Sequence, residues 1–377
     1  MRTHTTTHQS LPAPTAPAHT ALSQTPPAAR GLIDDATRQA ISDRLELLAI
    51  QAQRRSAAYS EQTALLWSRI GARLGTGKLM RPGMVMLGYR AFGGRNEARA
   101  IDLGCAFELL HAALLIHDDV VDRDFVRRGE PTISAVYRDH ALANGRNPAD
   151  AEHAGNSVGI IAGDLLISEA IKLAARAAAG SDAEAGVEQA FFQAIEQAGA
   201  GELEDLLYSL GPAPATTSQV LRMEQMKTAA YSFQLPLQAG ALLAGAHPAQ
   251  AEALGTVGCQ LGVAYQIIDD VLGTFGDPAR TGKPVESDLR EFKSTILLSL
   301  ASEQPEFSAL LTGFREGTVD AGRIRQELAA QGAERFARQL AAQLCSRATG
   351  SAAFLDLPEE ARTLLLECTS LILDRSS

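Results

Sequence analysis

Four aspartates stand in two adjacent pairs at the ends of apolar runs, and their spacing suggests metal chemistry. In the stretch LLHAALLIHDDVVDRDFVRR, residues 109–128, Asp118 and Asp122 lie four residues apart. On a helix both carboxylates leave one face, one turn apart, while Asp119 points about 100° away and reads as an outer support. Like charges stacked in this way repel each other unless a cation sits between them. Hard carboxylate oxygens suit magnesium, which keeps waters and completes its shell with phosphate oxygens rather than a closed protein cage. The competing reading is a solvated, charged helix end. Acids closing an apolar helix, however, meet the negative end of its dipole and need a compensating cation.

The second pair, Asp269 and Asp270, closes another apolar run in YQIIDDVLGTFGDPARTGKPVESDLREFKST, residues 265–295. A Gly/Pro-rich stretch carrying Lys283 and Lys293 follows. Two acid pairs, each ending an apolar helix, read as two walls of one cleft. Cations recur in short distinctive contexts: Lys78 and Arg81 in GKLMRP, Arg127 and Arg128 in RRGEPT, and Lys227 in MKTAAYSF. Each alone is an ordinary surface residue. Together with two carboxylate walls they suit a diphosphate, whose charge is met by metal ions and by Lys or Arg donors.

The elements that must position these residues are helices. Segments 98–121, 157–179, 185–210, 218–246 and 249–274 carry apolar residues at three- and four-residue spacing, and no stretch alternates long enough to predict a sheet. Breaks fall where Gly and Pro cluster, at 92–95, 211–214 and 276–284. Several helices are apolar nearly all round, which places them inside a large bundle. The expected fold is all-α, one large helical domain over 31–377. Residues 1–30, rich in Thr, Ala, Pro and His, have no acidic residue and read as a disordered tail without a secretory apolar core. Its histidines, His4, His8 and His19, are not read as a metal site.

Composition narrows the function classes. A net charge of -10 argues against a nucleic-acid partner, which needs a basic face. No uninterrupted apolar run approaches the roughly 20 residues of a transmembrane span. Cys105, Cys259, Cys345 and Cys368 are far apart and form no CxxC pair, so neither a disulfide framework nor a zinc site is expected, and the cytoplasm is the expected compartment.

The ordered set GKLMRP, HAALLIHDDVVD, RRGEPT, MKTAAYSF and YQIIDDVLG…GK…DLREFK resembles the trans-type polyprenyl diphosphate synthases, which include farnesyl and geranylgeranyl diphosphate synthases. The resemblance covers roughly residues 71–295. It implies a helical bundle of the isoprenoid synthase type with a central active-site cavity. The implied reaction is a prenyl transfer joining isopentenyl diphosphate to an allylic diphosphate, in a homodimer that uses about three magnesium ions per site. Carried over by position, Asp118, Asp122 and Asp269 are the expected metal ligands, with Asp270 and Asp288 acting through waters. Arg127, Lys227, Lys283 and Lys293 would grip the allylic diphosphate. Lys78, Arg81, His111 and Arg128 would bind isopentenyl diphosphate without metal. Thr228 and Gln266 would line the reacting carbons. Two positions depart from the pattern: Gly273 replaces a third aspartate, and Phe292 a glycine in the basic stretch.

Product length follows from the helix face below Asp118. By the resemblance, Ala113 stands five residues before Asp118, where short-chain relatives often carry an aromatic floor, so its small side chain implies room past fifteen carbons, while Leu110 and Phe107 lie deeper and could close the path. A product of about twenty carbons is expected. His117 reads as structural or as an outer support. Glu202 and Asp205 in GELEDLLY share a helix face and read as hydrogen-bonding acids rather than metal ligands. Trp67 carries no functional signal. Two alternatives remain: a terpene cyclase on the same scaffold, which has no use for the isopentenyl diphosphate cations, and an inert partner subunit, which has no need of both acid clusters.

Overall fold

Helix starts along this chain are marked by side chains that satisfy the first free N–H groups. Asp34, Ser60, Thr132, Asn147 and Thr216 each accept from the backbone N–H three residues on, caps typically worth about 1 kcal/mol each. The computed structural model describes residues 32–211, 214–276, 289 and 293–375. The expected tail at 1–30, Lys283, Asp288 and Phe292 therefore lie outside the described residues.

The first helices are α1 (Asp35–Ser56), α2 (Glu61–Gly71), α3 (Met80–Ala91) and α4 (Glu97–Val121). After a short hairpin come α5 (Ile133–Ala143), α6 (Pro148–Ala178), α7 (Glu184–Leu210) and α8 (Thr217–Glu224). A π-helical segment, Gln225–Gln234, leads into α9 (Leu235–Leu243) and α10 (Pro248–Phe275). The rest comprises α11 (Ile296–Ala301), α12 (Pro305–Arg315), α13 (Ala321–Ala330), α14 (Ala333–Thr349), α15 (Ala352–Leu355) and α16 (Glu359–Leu373).

Two expectations need correction. The stretch 218–246 is not one helix. Its middle widens into i→i+5 geometry, and Pro236, within the first two positions of α9, suits a new helix start. The RRGEPT stretch, read without strands, forms a hairpin in which Val126–Arg127 (β1) pairs antiparallel with Glu130–Pro131 (β2). Its two-residue turn places Arg128 at φ 55° and Gly129 at φ 81°, the doubly positive pattern of a type I′ turn. Two-residue strands are too short to alternate visibly in sequence.

The core is built around α4, which buries every residue from Leu103 to Leu110 and packs on α6 and α3. It is long and apolar enough to cross a bilayer, yet most of its apolar window is buried among other helices. The crossing of α3 and α9 depends on two glycines. A Cβ on Gly88 would stand 2.1 Å from the Leu237 carbonyl oxygen, and one on Gly240 would stand 2.1 Å from that of Val85. Neither position has space for a side chain. This close approach carries the end of the π segment toward Arg81 on α3.

Candidate active site

The end of α4, α7, the π segment and residue 293 bring a dense charge cluster together. One carboxylate oxygen each from Asp118, Asp122 and Glu202 lies within 4.8 Å of the others. Three partly buried carboxylates converging like this fit a hard divalent cation. Asp118 and Asp122 are the expected pair. Glu202 is not: its GELEDL context reads as structural, and only the approach of α7 to α4 brings it into the group. Within that context Gly201 lets α7 touch the π segment, since a Cβ there would stand 2.2 Å from the Lys227 backbone nitrogen.

Cations hold these acids together. Lys227 Nζ lies 2.7 Å from Asp205, 3.0 Å from Glu202 and 3.5 Å from Asp118. Arg127 donates to Asp118 at 2.6 Å and to Asp119 at 2.5 Å. Lys293 donates to Asp122 at 2.7 Å. Burial alone would raise Asp118, but Lys227, Lys293 and Arg127 together hold its carboxyl below the ordinary carboxylate value. Burial and the Asp118 charge raise Asp122 instead. Asp119, expected as an outer support, is buried against Arg127, and burial pushes it up to about 6. Lys227 gives up solvation on burial, but Asp205, Asp118 and Glu202 more than offset this and raise its pKa, so it stays charged.

The second wall differs from expectation in its partners. Asp269 lies outside the three-carboxylate group and pairs with Arg375 at 2.8 Å. Asp270 is buried, accepts from the Gln266 amide at 2.9 Å, and receives the backbone N–H of Ile296 at 3.4 Å. Gln266, expected beside the reacting carbons, thus has its amide committed to Asp270. Glu224 is buried within electrostatic reach of both Asp270 and Asp205. Burial, then Asp270 and more distantly Asp205, push its carboxyl well above the usual range. Thr228 is half-buried beside Lys227, and Gly273 is half-buried on α10.

A second group of cations gathers at α3. Arg81 donates to Ser232 Oγ at 2.8 Å and to Tyr231 OH at 3.2 Å, with its guanidinium 4.7 Å from the Tyr231 ring centre. His111 Nδ1 lies 3.3 Å from the same Tyr231 hydroxyl. Burial first, then Arg81, Arg128 and Arg127, hold the His111 imidazole well below its usual range, so it is neutral at pH 7. Lys78 is lowered by partial desolvation and by Arg375 and Arg128, with Asp269 opposing. Beneath them Glu108 is buried. Burial raises its carboxyl, while Arg81 and Arg128 pull it back. Tyr231 and Ser232 sit inside the MKTAAYSF motif but have no recognisable chemistry until Arg81 reaches them.

Along the lower face of α4, Ala113, Leu110 and Phe107 have no exposed surface. Phe107 meets Phe191 of α7 edge to face, with ring centres 4.9 Å apart. The path below Ala113 is closed packing rather than open space in this structure, while Leu114 beside it is only half-buried.

Comparison with known proteins fits this geometry. The family model described as polyprenyl synthetase matches residues 72–330. The chain is 37% identical over 229 residues to the geranylfarnesyl diphosphate synthase of Aeropyrum pernix, covering 60% of this chain and 66% of that protein. It is 35% identical over 224 residues to the geranylgeranyl diphosphate synthase of Sulfolobus acidocaldarius, covering 59% and 62%. The chain thus matches just under two thirds of the length of these curated relatives. A solved geranylgeranyl pyrophosphate synthase from Corynebacterium glutamicum, complexed with isoprenyl diphosphate and magnesium, superposes with a TM-score of 0.82 at 29% identity, over 91% of this chain and 100% of that one. With the family match spanning well over half its length, this chain belongs to the polyprenyl synthetase family.

Proposed function

We propose that this chain is a prenyltransferase that condenses isopentenyl diphosphate with an allylic diphosphate to give a trans-polyprenyl diphosphate, releasing diphosphate. The observation that carries this reading is the pairing of two distinct sites. One is the Asp118–Asp122–Glu202 carboxylate group with its cations; the other is the Lys78–Arg81–Arg128 group, where cations prevail. The first suits a diphosphate brought with metal, the second a diphosphate bound without it. The relatives' names and the magnesium-bound neighbour point the same way.

Asp118, Asp122 and Glu202 would hold magnesium, with Asp269 facing them from the second wall. Bound there, the ions supply Lewis-acid neutralisation of a leaving diphosphate. Arg127, Lys227 and Lys293, already fixed by their aspartates, orient the allylic diphosphate and take up part of its charge, with Lys283 and Thr228 completing this side. Such prealigned charge commonly contributes most to rate. Neutral His111 and Tyr231 position Arg81 against the second diphosphate. Burial along α4 excludes water from the allylic carbon as its bond to oxygen breaks, and Gln266 holds Asp270 at the cavity wall. The isopentenyl double bond then attacks, and the released diphosphate takes the proton.

The product has about twenty carbons, its tail reaching the α4 face at Ala113, with the closed packing of Leu110 and Phe107 below as its floor. The protein acts as one helical domain, over residues 31–377, of a homodimer in the cytoplasm; its free cysteines suit that reducing compartment. Incubating purified protein with radiolabelled isopentenyl diphosphate and dimethylallyl, geranyl or farnesyl diphosphate tests the reaction. Linear, magnesium-dependent elongation supports it. Cyclic hydrocarbons, or turnover indifferent to chelator, would overturn it. Light scattering on the same preparation tests the dimer.

A further inference from the structure

The last turn of α4 and its cap carry Asp118, Asp119 and Asp122 and no basic residue. Acids crowded at the negative end of a helix dipole weaken that turn unless something outside the helix holds it. Arg127, Lys227 and Lys293 reach the carboxylates, but the backbone that carries them leans on α6. Gly155, Gly159 and Gly163 stand four residues apart on α6 and share one face. A Cβ on Gly155 would stand 2.3 Å from the Ser134 carbonyl oxygen of α5. One on Gly159 would stand 2.6 Å from Ser134 Oγ and 2.7 Å from Cγ2 of Val120, which lies between Asp118 and Asp122. At Gly163 the three nearest atoms all belong to the His117 ring, the first of them at 2.1 Å.

His117 therefore occupies a notch that exists because position 163 has no side chain. Its Nε2 is 3.2 Å from the Ile160 carbonyl oxygen and 3.6 Å from the Asp164 carboxylate. Both neighbours accept, so Nε2 carries a ring proton and donates to the carbonyl. Asp164 is exposed, and a pair with so exposed a partner adds little. His117 and Val120 stand on either side of Asp118 and Asp119, and both bear on bare backbone of α6. Lifting the ring out of its notch would turn the end of α4 and carry both metal-side carboxylates with it. We propose that His117 is a positioning residue for the metal. Its ring, seated at Gly163 and bonded to Ile160, sets the rotation of the α4 end and hence where Asp118 and Asp122 point. The inference rests on the prenyltransferase reading above and adds to it a residue that acts only through those two aspartates.

Two calorimetric titrations of the full-length protein separate the two sides of the site. Magnesium titrated in the presence of inorganic diphosphate reads the acidic side, and isopentenyl diphosphate titrated in excess chelator reads the metal-free side. His117→Phe keeps an aromatic ring but cannot donate. It should raise the magnesium concentration for half-saturation by about 10-fold, with the magnesium requirement for turnover rising in step. Metal-free affinity for isopentenyl diphosphate should move less than about threefold. His117→Gln, whose amide nitrogen can reach the same carbonyl, should recover part of the loss. Gly163→Ala evicts the ring and should act like His117→Phe. In a His117→Ala background, adding Gly163→Ala should cost no further magnesium affinity, because the nearest obstacle is gone. That pair of variants keeps the test readable where a single variant loses stability. Wild-type magnesium half-saturation in His117→Phe would refute the inference while leaving the prenyltransferase reading intact. So would an equal loss on the metal-free side, or additive losses in the double variant. A wild-type protein that neither binds magnesium with diphosphate nor elongates a primer would remove both.

Discussion

Replacing Gly201 with alanine tests whether the approach of α7 to the π segment sets the geometry of the charge cluster. The added Cβ would stand 2.2 Å from the Lys227 backbone nitrogen and 2.6 Å from its Cα. Ordinary contact begins at 3.4 Å, so the two elements must separate by about 1.2 Å, the difference of those distances. The obstacle is backbone on both sides, which no rotamer change can relieve. Lys227 Nζ is already 3.5 Å from Asp118, and separation draws it off the acids it bridges. Overpacking of this kind costs about 1–3 kcal/mol of stability, and a displacement near 1 Å at a reacting centre can cost about 100-fold in rate. The matched control is Gly199→Ala on the same helix, where a Cβ meets nothing within 4 Å. There the change should be neutral or should stabilise by up to about 1 kcal/mol through helix propensity. Melting temperature and single-turnover elongation of both variants decide the matter. If Gly201→Ala melts and turns over like Gly199→Ala, the close approach does not position Lys227.

Other outcomes follow from the same structure. Asp119 holds its proton up to about 6 when folded against an ordinary 3.8. Its contribution is therefore fully present at low pH and is lost as pH rises from about 4 to 6; melting curves of metal-free wild type should lose up to about 3 kcal/mol relative to Asp119→Asn across that window. Asp118→Asn should abolish magnesium-stimulated turnover by at least about 100-fold, read in the radiolabel assay, because it removes a carboxylate from the three-acid group. Ala113→Phe should shorten the product, seen by chromatography of the dephosphorylated chains, and should cost about 1–3 kcal/mol because the site is already packed. Burial pushes the Cys259 and Cys345 thiols up to about 11 and Cys368 to about 12. Disulfide reagents at pH 8 should thus label native protein far more slowly than unfolded chain, which exposes all four thiols.

What could be read from sequence was whatever is local. Asp118 and Asp122 declare themselves because a four-residue spacing puts them on one face, and the long apolar segments predicted α4, α7 and α10 to within a residue or two at most ends. Glu202 could not be ranked correctly, because its role depends on how closely α7 approaches the π segment at Gly201. The hairpin at Arg128 lacks the strand length that alternation needs. The widening at 225–234 leaves apolar residues at spacings that read equally well as an ordinary helix. Arg375 carries no local signal at all, since only the return of α16 across α10 brings it to Asp269.

The widened helical segment has a consequence for how the two substrates are kept in register. In i→i+5 geometry a backbone N–H bonds the carbonyl five residues before it, and Lys227 and Ser232 are five apart within the segment. The first grips the acids of the metal side; the second steadies Arg81 on the other side. One surplus residue in a helix thus couples both halves of the cavity, and its excision would rotate one grip away from the other while leaving every charged side chain in place.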